Sequence, residues 1–129
     1  MLTSDLVLAS EHFLAMYREL FLIDPFFRIR IDVIDGDWIS KCQTDNVALS
    51  WVVILNPNRH EGPDDVKHSI IDGLLRVMFT EVDRASKRDE GYVEMREGVI
   101  VRLATVFGNL LPDNINEVDE ETDSAEELG

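Results

Sequence analysis

Two side chains with metal-binding chemistry, His68 and Asp72, stand four residues apart in a stretch of helical periodicity. On an α-helix this spacing brings both side chains to neighbouring turns of one face, and helices chelate metal ions with that spacing. Asp72 also stands four residues before Arg76, so a solvated ion pair on an ordinary amphipathic helix explains it as well. On residue types alone, the ordinary helix is the better of the two interpretations.

The helix that carries this pair is the second of three predicted helices. Ser4 and Asp5 indicate the start of the first helix, and its pattern stops before Pro25. Pro63, followed by two acidic residues, is typical of a helix opening, and the second helix is predicted to run to about Lys87. His68 is then at the border of the buried face of this helix.

Three strands are predicted between the first two helices, because apolar and polar residues alternate or the chain becomes wholly apolar there. Their predicted ranges are 27–33, 38–43 and 47–55. Asp35 and Gly36 predict a tight turn between the first two strands. The third strand is apolar on both faces, which is expected of the most buried strand of a small sheet.

A third helix is predicted from about Glu90 or Tyr92 to Pro112. We expect one stripe of it to be buried, namely Met95, Val99, Leu103, Val106 and Leu110. Glu97 falls well away from that stripe, so a solvent-facing side chain is expected for it.

The order of these elements predicts an α+β fold, with an N-terminal helix, a three-stranded, mostly antiparallel sheet and two C-terminal helices. Residues 1–111 form this single domain. Residues 112–129 contain 8 acidic and no basic residues and few large apolar side chains, so they are predicted to be a disordered acidic tail.

Charge and composition exclude several classes of protein. The formal net charge is −14, which disfavours direct nucleic acid binding because phosphate contacts need clustered lysine and arginine. The single cysteine, Cys42, excludes an intramolecular disulfide scaffold. We expect a cytoplasmic protein with no membrane partner, since the longest apolar run is short and no signal peptide is recognisable.

The segment from Val66 to Asp83 resembles the active-site segment of small zincin-like metallopeptidases of phages and prophages, and the likeness extends over about residues 5–111. In that family two histidines of an HExxH-type motif bind zinc and the glutamate activates the metal-bound water. Here His68 matches the first histidine, whereas Ser69 replaces the glutamate and Asp72 replaces the second histidine. Glu97 has the place of the family's third, usually acidic ligand.

The resemblance implies a zincin-like fold and a metallopeptidase-like protein that is catalytically inactive, because loss of a positioned general base at Ser69 costs about 10²–10⁴ in rate. We expect it to bind another protein, in a phage or prophage context. The implied metal ligands, His68, Asp72 and Glu97, are a harder set that still admits zinc. We expect no cofactor, zinc being the one candidate.

Two alternatives stay open. One is an active metal-dependent hydrolase with an altered ligand set. The other is an acidic inhibitor that mimics nucleic acid, which the charge of −14 suggests. The oligomeric state does not follow from the sequence.

Overall fold

The computed structural model describes residues 1–44, 49–86 and 90–113, which form three α-helices and one three-stranded sheet. In chain order the elements are α1 (Thr3–Leu20), β1 (Arg28–Val33), β2 (Ser40–Thr44), β3 (Ser50–Leu55), a 3₁₀ turn (Pro57–Arg59), α2 (Pro63–Ser86) and α3 (Glu90–Leu110). The α+β class is confirmed. The predicted strand start at Val47, the predicted helix end at Lys87 and residues 114–129 of the predicted tail lie outside the described residues.

The sheet is mixed, with β3 in the middle. β1 pairs with β3 in parallel and β2 pairs with β3 in antiparallel fashion. The expectation of a mostly antiparallel sheet, with a tight turn at Asp35 and Gly36 joining neighbouring strands, is therefore wrong. Of the three strands, β3 is the one buried along its whole length, and the central position shields it on both edges as well as both faces.

Asn56 holds the chain where it crosses from β1 to β2. Its buried side-chain amide donates to the carbonyl oxygens of Gly36 and Trp38, at 2.7 and 2.8 Å, and its backbone N–H donates to Ile39. These bonds satisfy the peptide groups of a loop that passes round the end of β3. Segment 34–39 is thus a crossover connection rather than a hairpin turn.

Helices α1 and α2 pack against the sheet. α1 lies against β1 and α2, while α2 lies against β2 and β3. Gly73 of α2 faces Val53, where an added Cβ would stand 3.0 Å from a valine methyl group, and the indole N–H of Trp51 donates to the Thr80 hydroxyl at 3.2 Å. This close approach fixes which face of α2 turns towards the sheet and which towards α3.

The face that α3 turns towards the rest of the protein differs from the predicted one. Its buried residues are Ile100, Ala104 and Gly108, whereas Val106 and Leu110 of the predicted stripe are exposed. Met95 is exposed as well, and Val99 and Leu103 are half-buried. Gly108 lies so close to the His68 ring of α2 that a Cβ would not fit there, so the face of α3 that carries this glycine is the one that meets α2.

Candidate functional site

Arg76 on α2 joins the two acidic residues that the sequence analysis proposed as metal ligands. Its Nε donates to Oδ1 of Asp72 at 2.7 Å, which is the predicted i,i+4 pair. Its two terminal nitrogens donate to the two carboxylate oxygens of Glu97 on α3, at 2.7 and 2.9 Å. We refer to Arg76, Asp72 and Glu97 together as the arginine clamp.

Glu97 faces α2 because it lies three residues before Ile100, on the buried side of α3. Its side chain is 42% exposed, so Glu97 faces solvent in part, as expected, but its carboxylate also contacts α2, which was not expected. A second guanidinium, that of Arg96, also donates to Glu97 Oε1, at 3.0 Å. Its carboxylate is thus bound from two sides by positive charge.

The pKa directions agree with this geometry. Hydrogen bonding to Arg76 holds the pKa of Glu97 below its ordinary value, although partial burial opposes the shift. Hydrogen bonding to Glu97 is also the largest cause that raises the pKa of Arg76 above its ordinary value. Arg76 and Glu97 are therefore both charged at neutral pH, and the carboxylates of Asp72 and Glu97 are hydrogen-bonded to a cation that the chain itself supplies.

Cys42 lies on β2, and the charges of the arginine clamp act on the pKa of its thiol. Burial raises the pKa of this thiol to about 12, an increase that Arg76 reduces and Asp72 reinforces. At neutral pH the side chain is consequently a thiol, whereas both nucleophilic attack and metal ligation require the thiolate. Cys42 packs against the apolar core instead.

His68, the third proposed ligand, is directed elsewhere. Its Nδ1 lies 2.8 Å from the carbonyl oxygen of Asp64, one turn earlier on α2. Its Nε2 lies against Gly108 on α3, so close that the position has no room for a Cβ. The ring is half-buried, as its predicted place at the border of the apolar face requires, and it fills the gap between the two helices.

The structure thus brings Asp72 and Glu97 to one guanidinium and places His68 against a glycine. Across the described ranges 1–44, 49–86 and 90–113, no group of three or more His, Cys, Asp or Glu side chains is arranged to hold a metal ion. In this arrangement His68, Asp72 and Glu97 do not fit zinc, because both carboxylates are bound by Arg76. The expectation of no cofactor stays a prediction, which metal analysis of the purified protein tests.

Ser69, the residue after His68 on α2, belongs to a buried pair that the sequence analysis missed. Its hydroxyl lies 2.7 Å from Nε2 of His60, whose Nδ1 lies 2.7 Å from the carbonyl oxygen of Asn56. A carbonyl only accepts, so Nδ1 carries the proton and Nε2 accepts from the serine hydroxyl. Nothing in the spacing of residues 60 and 69 indicates this contact, because they lie in a loop and a helix.

A serine that donates to a histidine is the arrangement that activates serine nucleophiles. In this protein, however, Ser69 is 4% exposed and His60 is 1% exposed, so a substrate has no access to the hydroxyl. The pair instead satisfies two polar side chains inside the core and ties α2 to the loop after β3. We assign it a structural role.

No protein-family model matches this chain, and no curated protein or solved structure is significantly similar to it. In the part of the chain that the structure describes, none of the helices has the length and apolar character needed to cross a bilayer.

Proposed function

We propose that this protein is a catalytically inactive, metallopeptidase-like module that acts by binding another protein. The observation that carries the proposal is the arginine clamp. A catalytic zinc centre keeps its protein ligands free for the metal and one coordination position open for water. Here Asp72 and Glu97, at two of the three ligand places, are both hydrogen-bonded to Arg76.

The position of the general base supports the same proposal. Ser69 stands where the resemblance places the catalytic glutamate, and its hydroxyl is buried against His60. It therefore neither ionises at neutral pH nor reaches a bound water. The zincin-like fold and the phage or prophage setting of the proposal rest on the sequence resemblance.

The alternatives are less well supported. In an active hydrolase, Asp72 and Glu97 would have to bind the metal in place of Arg76. The half-buried guanidinium of Arg76 would then lose both of its carboxylate partners, which is unfavourable. A mimic of nucleic acid needs acidic groups spaced on a rigid surface, yet 8 of the 26 acidic residues lie in the segment 112–129. Within the arginine clamp the acids are neutralised by basic partners.

Elemental analysis and a peptidase assay test whether the protein is catalytically inactive, as proposed. After purification without chelator, we expect no stoichiometric zinc and no peptidase activity on casein in the presence of added zinc, cobalt or manganese. His68→Ala and Asp72→Asn should leave both results unchanged. Stoichiometric zinc that is lost in both variants would overturn the proposal and support the altered hydrolase.

Affinity capture followed by cross-linking tests whether the protein binds another protein. A specific protein partner should be retained equally by the wild type and by the His68→Ala, Asp72→Asn double variant, because the proposed role needs no metal. Loss of the partner in the folded double variant alone would show that the candidate metal ligands carry the function.

A further inference from the structure

Strand β1 lies at one edge of the sheet, and its hydrogen bonds show which of its backbone groups face outwards. In the order β1-β3-β2 it has a neighbour on one side only. The N–H groups of Arg28 and Ile34 donate to the carbonyl oxygens of Leu49 and Leu55, at 2.8 and 3.0 Å, on the β3 side. Successive peptide groups of a strand point to opposite edges, so the even-numbered residues of the stretch 28–34 bond to β3.

The odd-numbered residues of this stretch, Ile29, Ile31 and Val33, therefore direct their N–H and carbonyl groups to the outer edge. No strand or loop within the described ranges 1–44, 49–86 and 90–113 pairs with them there. The stretch also lacks proline, which blocks strand pairing at many sheet edges. A row of such groups is a template on which another strand can pair.

The side chains at this edge are apolar on one face and charged on the other. Ile29, Ile31 and Val33 pack against the apolar core, yet each stays half-buried although α1 lies against β1. Their outer flanks are therefore open to a strand that pairs with β1. On the other face, Arg30 and Asp32 form an ion pair at 3.4 Å, and their side chains are 60% and 39% exposed.

We propose that the outer edge of β1 binds the same edge of a second copy of the chain, so that the two sheets join into one. The two β1 strands would run antiparallel about a two-fold axis at Ile31. The outward N–H and carbonyl groups of the two copies then meet each other and form about six hydrogen bonds. This dimer goes beyond the proposed function, which concerns a different protein as partner.

The charges of β1 match each other in this register. Arg30 of each copy lies opposite Asp32 of the other, so opposite charges pair on both sides of the axis. A shift of two residues places Arg30 opposite Arg30 in one direction and Asp32 opposite Asp32 in the other, and like charges directly opposite each other are destabilising. A shift of one residue sets outward groups against inward ones and leaves them unbonded. Charge thus selects one register.

The core-facing side of β1 is complementary to itself as well. Ile29 of one copy lies opposite Val33 of the other, and the two Ile31 side chains meet at the axis. Pairs of β-branched side chains on neighbouring strands stabilise a sheet. The half-buried flanks of these three residues would therefore cover each other in the dimer.

Charge and size limit the strength of this contact. The net charge of −14 opposes association of two copies. The six residues of β1 itself include two arginines and one aspartate, so the meeting edges bring opposite charges together. One strand pair is a small interface, and small interfaces are typical of weak complexes. We expect a Kd on the order of 50 µM, with a mostly monomeric protein at about 5 µM.

Sedimentation equilibrium at about 5–500 µM protein in about 150 mM NaCl measures the dimer. Arg30→Asp places like charges opposite each other across the axis, and it should weaken dimerisation about tenfold or more. The matched control is Lys41→Asp on β2, an exposed position on the other edge strand. It changes the net charge equally and should dimerise within about twofold of the wild type.

Exchange of the two charges tests the register. The double variant Arg30→Asp, Asp32→Arg keeps opposite charges opposite each other in the proposed register, whereas the shifted registers would still oppose like charges. It should dimerise within about threefold of the wild type. Both variants should melt within about 2 °C of the wild type at about 5 µM, because the Arg30 and Asp32 side chains are exposed.

Amide hydrogen exchange locates the contact on the backbone. The outward N–H groups of Ile29, Ile31 and Val33 should exchange about threefold more slowly at about 500 µM protein than at about 20 µM, because dimerisation protects them. The N–H groups of Arg28 and Ile34 bond on the β3 side, so their exchange should not change with concentration.

A wild type that stays monomeric up to about 500 µM would overturn the proposal. Equal weakening by Lys41→Asp and Arg30→Asp, or a double variant that does not dimerise, would overturn it in favour of another surface. A monomer whose outward β1 amides become protected by a peptide of alternating valine and glutamate would overturn it in favour of a foreign strand. These readouts depend on neither zinc content, peptidase activity nor another protein, so the proposed function and this inference fail separately.

Discussion

Arg76 on α2 donates to both carboxylate oxygens of Glu97 on α3, at 2.7 and 2.9 Å, although the two residues are 21 positions apart in the chain. This two-point contact fixes one helix against the other at a defined register. It also means that Glu97, which the sequence analysis proposed as a metal ligand, instead joins α2 and α3 through an ion pair.

Removal of Arg76 should be destabilising. Arg76→Met leaves Asp72 and Glu97 as neighbouring carboxylates without their shared cation, so the free energy of unfolding should fall by about 1–3 kcal/mol. Urea denaturation measures the change. Arg30→Met is the control, because Arg30 pairs with Asp32 at 3.4 Å on the surface, and it should cost less than about 0.5 kcal/mol. Equal losses in both variants would contradict a special role for the arginine clamp.

The contribution of Glu97 should depend on pH. Its pKa is lowered in the folded protein, so the stabilisation is fully present above the pKa of the unfolded chain and is lost as pH falls through the folded value. Wild type and Glu97→Gln should therefore differ at neutral pH, and the difference should shrink once the pH falls below the ordinary glutamate pKa of about 4.3 and vanish below the lower pKa of the folded protein. Melting temperatures recorded across this range measure the difference. A constant difference at every pH would assign the effect to packing.

Ser69→Ala should destabilise the core. It leaves Nε2 of His60 without a donor in a site that excludes water, which costs about 1–3 kcal/mol. Ser10→Ala is a matched control, because Ser10 is also a buried helical serine but donates only to the Val7 carbonyl of its own helix. We expect that variant to lie within about 0.5 kcal/mol of the wild type. A Ser69→Ala protein as stable as the control would argue against the pair.

Asp113 and the segment 114–129 should differ in how much they contribute to stability. Deletion of 114–129 should leave the melting temperature nearly unchanged, because the segment has little apolar surface to bury. Asp113→Ala in the full chain should lower it by a few degrees, about 1 kcal/mol, because the buried Lys67 ammonium loses its carboxylate. Asp113 belongs to the predicted tail, yet its carboxylate contacts Lys67 of α2. A large loss on deletion of 114–129 would instead mean that this segment docks on the domain.

Cys42 should react slowly with thiol reagents. Its pKa is raised to about 12 by burial, so very little thiolate is present at neutral pH. Modification by a disulfide reagent should be slow in the native protein and fast in urea. Rapid native modification would indicate that β2 opens readily at the sheet edge.

Much of the fold could be predicted from local patterns. The proline and acids at positions 63–65 indicated the start of α2, and the alternation after Phe27 indicated β1. The pair of Asp72 with Arg76 also followed from its spacing and is confirmed. Each of these features depends on residues within one or two turns of each other, where backbone geometry alone sets which side chains meet.

The sequence by itself determined the number, type and approximate limits of the elements and the excess of negative charge. Only the tertiary structure decided that β3 lies between β1 and β2, that Glu97 turns towards α2, and that Ser69 meets His60. Periodicity identifies an apolar face but does not state what will cover it. Strand order and helix rotation are set by contacts between distant segments, here the close packing of Gly108 on α3 against His68 on α2.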